Sequence, residues 1–395
     1  FSYLSTYSRP LIIGFLFIEE IYIIPAQMKL TIGQEEFVSG LLSVQNVVSS
    51  RTTLPILSNV LLSATGNRLT LTATDLDVTI SKTVEAKVES EGSFTIPVKK
   101  LLSIAREVGG SLIEMEVSNN QCSIKSGSSA YRVNGLPAEE FPPIPDFSGH
   151  TTIKMPQDKL KTMLRRTSFA VSTDENRYVL NGLYLSFKDN KLTMVATDGR
   201  RLALAEEEVE LPGDSPVELI VPTKAIQELS RQLGEEGNIE IQITENQVSF
   251  GLEEKQGTGS LIVSKLVEGA YPNYKQVIPA ESKYRVTLDK EELFHALRRA
   301  EIMTSEKSNS VKLTFSENNL TFTANSPEVG ESRETMAIKY GGEETSIAFN
   351  PEFFIDPLKA LEEEEVHFEF TDQLSPGVVK VNHPFIYVIM PMRTS

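Results

Sequence analysis

LTLTATDLDVTI at residues 69–80, LTMVATDGRRLA at 192–203 and LTFTANSPEVGE at 320–331 are three versions of one pattern. Each precedes a second echo at a similar distance: IPVKKLLSIARE at 96–107, VPTKAIQELSRQL at 221–233 and FNPEFFIDPLKAL at 349–361. The matching residues Ala73, Ala196 and Ala324 are about 123 and about 128 positions apart, far beyond the roughly 20 to 50 residues of solenoid and propeller repeats. The repeating unit is therefore a whole domain.

A third echo marks where each unit begins. KLTIGQEEFVSGLLSVQNVVSS at 29–50, TIKMPQDKLKTMLRRTSFAVST at 152–173 and RVTLDKEELFHALRRAEIMTSE at 285–306 each read as a short strand leading into an amphipathic helix. Phe37, Leu41, Val44 and Val48 recur at helical spacing. Leu160, Leu164, Thr167 and Val171 repeat it, as do Leu293, Leu297 and Ala300. In the first unit the β-rich run reads as strands over 59–62, 68–73 and 78–88, then 94–96. Pro97 opens a second helix over 99–108, and strands follow at 113–117, 122–125 and 131–134. The expected fold class is α+β, three tandem domains of two helices packed on antiparallel sheets. Proline-rich exits, LPAEEFPPIP from Leu136 and VEGAYPNYKQVIP from Val267, place the domains at 28–149, 150–281 and 282–395. Residues 1–27 do not conform. They start at Phe1, and their apolar stretch at 11–24 is interrupted by Glu19 and Glu20 and is too short to span a bilayer comfortably. They read as an artefact upstream of Met28, with an amphipathic anchor as the alternative.

The chain of 395 residues is 40% hydrophobic and 23% charged, ordinary for a protein with a core in each unit. The single Cys122 forms no internal disulfide and has no CxxC companion, which points to a reducing, cytoplasmic compartment. A net charge of −16 argues at first against nucleic acid. Its distribution reverses the inference: acid gathers at 206–208, 235–236 and 362–365, which read as loops or outer surface. Base gathers on the helices, at Lys99, Lys100 and Arg106, at Lys159, Lys161, Arg165 and Arg166, at Lys224 and Arg231, and at Arg298 and Arg299. Helices sharing one face would make the protein acidic outside and basic within.

No catalytic constellation assembles. His150, His295, His367 and His383 show no metal or triad spacing. Asp75 and Asp77 resemble a paired-carboxylate site, but the matching slot at 197–200 has no second acid, so a turn capped by Asp is expected. The Gly257-Thr258-Gly259 stretch lacks the lysine of a phosphate loop and reads as a hairpin connection. No cofactor and no metal are expected. The ending HPFIYVIMPMRTS reads as a strand that buries Phe385, Tyr387 and Ile389, with Met390 to Arg393 left for a partner surface.

MKLTI at Met28, TLPILSN at Thr53, ATDGRRLA at Ala196, SKLVEGAYPNY at Ser264 and YVIMPMR at Tyr387 together resemble the bacterial DNA polymerase III beta subunit family, the replicative sliding clamps. The resemblance covers residues 28–393 in order. It implies a non-catalytic processivity factor, a head-to-tail homodimer closing a six-domain ring around double-stranded DNA, helices inside and sheets outside. It implies Arg51, Lys99, Lys100, Lys224, Arg231 and Lys307 as DNA contacts. Its partner pocket, which takes short linear peptides from the polymerase III alpha subunit, the clamp loader, other polymerases and repair proteins, maps onto two stretches. Arg177, Leu180, Thr197, Gly199, Arg200 and Leu202 form one part, and Pro272, Val277, Val388, Met390, Pro391, Met392 and Arg393 the other. Arg200 stands where the family often has His and Gln276 where it often has Arg. The protomer interface maps onto Tyr131 and Val133 facing Ile302 and Met303. Two rival readings are a repeat protein binding another protein or a glycan, and a metal-dependent nuclease or transferase using Asp75 and Asp77.

Overall fold

The computed structural model describes residues 28–48, 53–147, 152–213, 215–255, 257–305 and 309–393. The leader 1–27, Arg51, His150 and Lys307 lie outside these. Each unit opens with a strand feeding a helix: Met28–Gly33 into α1 (Gln34–Gln45), with α2 (Val98–Glu107) later in that unit, and Thr152–Pro156 into α3 (Gln157–Thr167), with α4 (Thr223–Gln232) to follow. In the third unit Tyr284–Asp289 feeds α5 (Lys290–Glu301), and α6 (Pro351–Ala360) follows. Asp289 caps α5, its carboxylate accepting the Glu292 N–H at 2.8 Å. Helices α2 and α4 start directly after Pro97 and Pro222, and α6 has proline at its first position, where a fixed φ suits the first turn.

The helical spacing runs past the helices themselves. Val48 and Val171 are buried as expected, yet α1 ends at Gln45 and α3 at Thr167. A turn carries Val48 inward, and the 3-10 turn Ser168–Ala170 carries Val171. The long strand expected over 78–88 is likewise two elements. It stops at Glu85, Ala86 donates its N–H to the Asn67 carbonyl at 3.1 Å, and Lys87–Ser90 joins a different sheet.

Four antiparallel sheets form the outer layers, and two of them cross the boundaries between units. In the nine-stranded sheet Val78–Glu85 of the first unit pairs with Thr258–Lys265 of the second, Ile80 opposite Ile262. In the eight-stranded sheet Arg201–Glu208 of the second unit pairs with Phe385–Ile389 of the third, Leu202 opposite Val388. A five-stranded sheet closes the first unit, ending on Ser129–Asn134, and a four-stranded sheet closes the third, ending on Gly330–Ala337.

The helices form one row. α1 lies on α2, α3 on α4, and α5 on α6. Between units, Gln232 of α4 donates to the Ser43 carbonyl of α1 at 3.3 Å, and Arg166 of α3 pairs with Glu363 just past α6 at 2.5 Å. The order is thus α2, α1, α4, α3, α6, α5. Apolar side chains between helices and sheets make the core, dense in the third unit, where the Phe315 and Phe370 rings stack at 4.3 Å.

Candidate DNA-facing layer and partner groove

The charge segregation expected from the sequence is contradicted at the helix row. Lys159 pairs with Glu207 at 2.6 Å, Lys161 with Glu235 at 2.5 Å, and Arg165 with Glu362, so the acids read as outer surface reach the basic helices. The reason is topological: strand end 208, the turn after α4 and the turn after α6 all come back beside α3. The Arg165 guanidinium holds the Glu362 carboxyl below its usual range. Arg298 and Arg299 are also paired, with Glu301 at 2.6 Å and Glu334 at 2.9 Å.

The expected DNA contacts divide accordingly. Lys99 and Lys100, exposed on α2, join no ion pair among the described residues, and Arg106 and Lys359 share that state. Arg231 pairs with the buried Glu228 one turn back on α4. Lys224 is a strut between units, bonded to the Asp75 carboxylate and donating to the Val47 carbonyl at 3.1 Å. Asp75 itself caps its turn, accepting the Val78 N–H at 2.8 Å and the Asp77 N–H at 3.1 Å, as the turn reading required. Asp77 pairs with Lys265 at 3.0 Å. Lys82, buried, pairs with Glu254 across the same boundary. Among the described residues no group of three or more metal-ligating side chains gathers, and no helix is long and apolar enough to cross a membrane.

At the second boundary the residues of the candidate groove converge. Thr197, Gly199 and Arg200 form the turn after strand Lys191–Thr197, with Asp198 accepting the Arg200 and Arg201 N–H groups at 2.9 and 3.0 Å. Gly199 sits at φ +85°, a left-handed backbone conformation that favours glycine, with the Arg177 guanidinium lying against its Cα. Arg177 bonds the Asp198 carbonyl at 3.1 Å and ends near Asp174 at 3.4 Å. Leu180 closes the adjoining 3-10 run Glu175–Leu180 and is buried. Leu202 and Val388, opposite each other, form an apolar cluster with Tyr184, Val195, Leu204 and Ile220, on which Tyr271, Tyr274 and Ile278 of the connector lie. Pro272 and Val277, exposed, belong to that connector.

The C-terminal strand buries Phe385, Tyr387 and Ile389 as expected; Val388 is buried too, on the opposite face. Beyond it the Met390 N–H donates to the Arg200 carbonyl at 2.9 Å, and the Met392 N–H donates to the Ala348 carbonyl at 2.7 Å. These two bonds lay the end of the chain over the junction between the second and third units. Met390 and Met392 remain 40% and 39% exposed, Pro391 is half-buried and Arg393 is exposed.

Arg201 carries a role that sequence reasoning missed. It is largely but not fully enclosed, donates to Asp356 at 2.6 Å, to Asp198 at 3.1 Å and to the Phe169 carbonyl at 2.9 Å, and lies over the Phe353 ring at 4.7 Å. The available signal was a second arginine directly before the apolar run Leu202 to Ala205 of its strand.

The strands that join units have counterparts left open. Gly330–Ala337 occupies in the third unit the place of Val78–Glu85 and Arg201–Glu208, and among the described residues it pairs on one side only. Ser129–Asn134 occupies in the first unit the place of Thr258–Lys265 and Phe385–Ile389, and it too is an edge. Near these edges Ile302 is 68% exposed and Tyr131 37%, Met303 is half-buried, and Val133 points into its own core.

Three α+β units with a continuous helix row and sheets shared across boundaries define a clamp-type repeat protein. Models of the DNA polymerase III beta subunit match in sequence: its N-terminal domain at residues 28–145, its central domain at 154–273 and its C-terminal domain at 275–393. The chain is 36% identical to the beta sliding clamp of Chlamydia pneumoniae over 93% of its own length and 99% of the relative's. It is 35% identical to that of Pseudomonas aeruginosa, over 93% and 100%. The solved DNA polymerase sliding clamp of Bacillus subtilis superposes with a TM-score of 0.88 at 32% identity, covering 94% of this chain and 100% of that one. The chain belongs to the DNA polymerase III beta subunit family, and it is a sliding clamp, a non-catalytic processivity factor.

Proposed function

We propose that the helix row faces duplex DNA inside a ring closed by a second copy of the chain. The observation that carries this reading is the repeated junction: two boundaries inside the chain are strand pairs, and one matching strand is left open at each end. Pairing Ser129–Asn134 of one copy with Gly330–Ala337 of the other completes six units head to tail. Tyr131 and the edge at Val133 then face Ile302 and Met303. Lys99 and Lys100 supply phosphate contacts directly, Lys224 and Arg231 do so when phosphate displaces their carboxylates, and Arg51 and Lys307 are assigned to the same role. Such contacts carry no sequence information, so the ring slides.

The groove at the second boundary receives short linear peptides of the polymerase alpha subunit, the clamp loader and repair proteins. Leu180, Leu202, Val277 and Val388 take an apolar anchor, with Met390, Pro391 and Met392 as a wall and Arg177, Thr197, Gly199, Pro272 and Arg393 around it. The unit boundaries are kept near 149 and 281, because Val267, Tyr271 and Tyr274 of the connector pack on the second unit. A cytoplasmic location fits a family that acts on the chromosome. Retention on nicked circular DNA after loading, with loss once the circle is linearised, tests the ring; equal retention on both forms would overturn it.

A further inference from the structure

We propose that Arg200 makes the groove selective for linear peptides carrying a carboxylate beside their apolar anchor; this rests on the peptide-groove reading above. The backbone of Arg200 is fixed from both sides, its N–H by Asp198 at 2.9 Å and its carbonyl by the Met390 N–H at 2.9 Å. The residue is therefore held against the methionine wall, and its side chain is exposed. Its two nearest arginines in sequence are engaged, Arg177 by Asp174 and the Asp198 carbonyl, Arg201 by Asp198 and Asp356, while Arg393 lies beyond the methionine wall, at the end of the described chain. The Arg200 guanidinium has no such partner among the described residues, although the chain carries 54 acidic residues against 38 basic ones. An open, planar donor at the lip of an apolar site matches a carboxylate in bidentate fashion. Apolar depth then supplies affinity, and the charged lip supplies discrimination.

The test uses two fluorescein-labelled synthetic peptides with the same leucine and phenylalanine anchors, one with aspartate and one with asparagine at the flanking position. Titrated by fluorescence polarisation against the full chain in low salt, the aspartate peptide binds about three- to fivefold more tightly, the size of an exposed charge pair. That ratio falls as salt is raised. Arg200→Gln brings it toward one, Arg200→Lys retains part of it, and Arg200→Glu inverts it. Equal binding of both peptides to the unaltered chain, or an unchanged ratio in Arg200→Gln, would overturn the inference and leave the groove standing. Failure of both peptides to bind would overturn the groove reading and the inference together.

Discussion

Arg201 of the second unit and Asp356 of the third meet at 2.6 Å beneath the strand pair that joins the two units. The arginine is nearly enclosed, with 11% of its side chain exposed, so its charge depends on that partner and on Asp198. Removing one member strands the other. Arg201→Ala is expected to destabilise the chain by about 3 kcal/mol, read as a lower midpoint in urea, whereas Arg165→Ala, at an exposed pair, shifts it by about 0.5 kcal/mol. Equal midpoints for the two variants would remove Arg201 from the joint.

The open strands predict a homodimer. Ile302→Asp with Met303→Asp places two carboxylates at the proposed contact, where burial of unpaired charge is costly. Light scattering should then report one protomer mass at micromolar concentration, with an unchanged circular dichroism spectrum. A variant that stays dimeric would move the interface elsewhere.

The ion pairs on the helix row separate two kinds of lysine. Lys99→Ala with Lys100→Ala should weaken DNA binding and reduce the slope of log affinity against log salt by about two, with the thermal midpoint unchanged. Lys224→Ala should lower the thermal midpoint, because it frees Asp75 and the Val47 carbonyl. Reversal of the two effects would exchange their roles.

Deleting residues 390–395 removes one wall of the groove while leaving both open strands in place. Peptide affinity should fall by about 2 kcal/mol or more, roughly thirtyfold, and the dimer should persist by light scattering. Undiminished affinity in the truncated chain would take the groove off this surface.

Cys122 is fully buried, and burial pushes its thiol up from 9.0 to about 12. The folded state therefore holds a proton that the unfolded chain releases above pH 9, so this group's contribution to stability is whole below pH 9 and declines as pH rises toward 12. Thiol reagents at neutral pH should label the protein only after denaturant is added. Rapid labelling of the native chain would contradict the burial.

The repeat made much of the fold legible, since a helix seen in Leu160 and Leu164 is confirmed by Leu293 and Leu297 at the same place in the next unit. Helix ends were less so: Val48 and Val171 keep the spacing while a turn has replaced the helix. The candidate groove residues before Met390 came from the family resemblance alone; the structure pairs Leu202 with Val388 across two units, a contact that alternation within one strand could not indicate. Lys159 and Glu207 were misassigned because their meeting depends on a strand end returning to a helix 48 positions away. Arg201 depends on a partner 155 positions away. Local pattern carries no information at such separations.

The open edges at Ser129–Asn134 and Gly330–Ala337 make assembly a matter of angle. A head-to-tail contact repeats the same rotation at every added copy, so a chain that turns through half a circle is closed by its second copy, and one that turns slightly less winds into a filament. The bend is set inside the chain, at the strand pairs of the two boundaries. Lys82 and Arg201 each tie two units together at one of those boundaries, so the angle on which closure depends is held by contacts remote from the edges that meet.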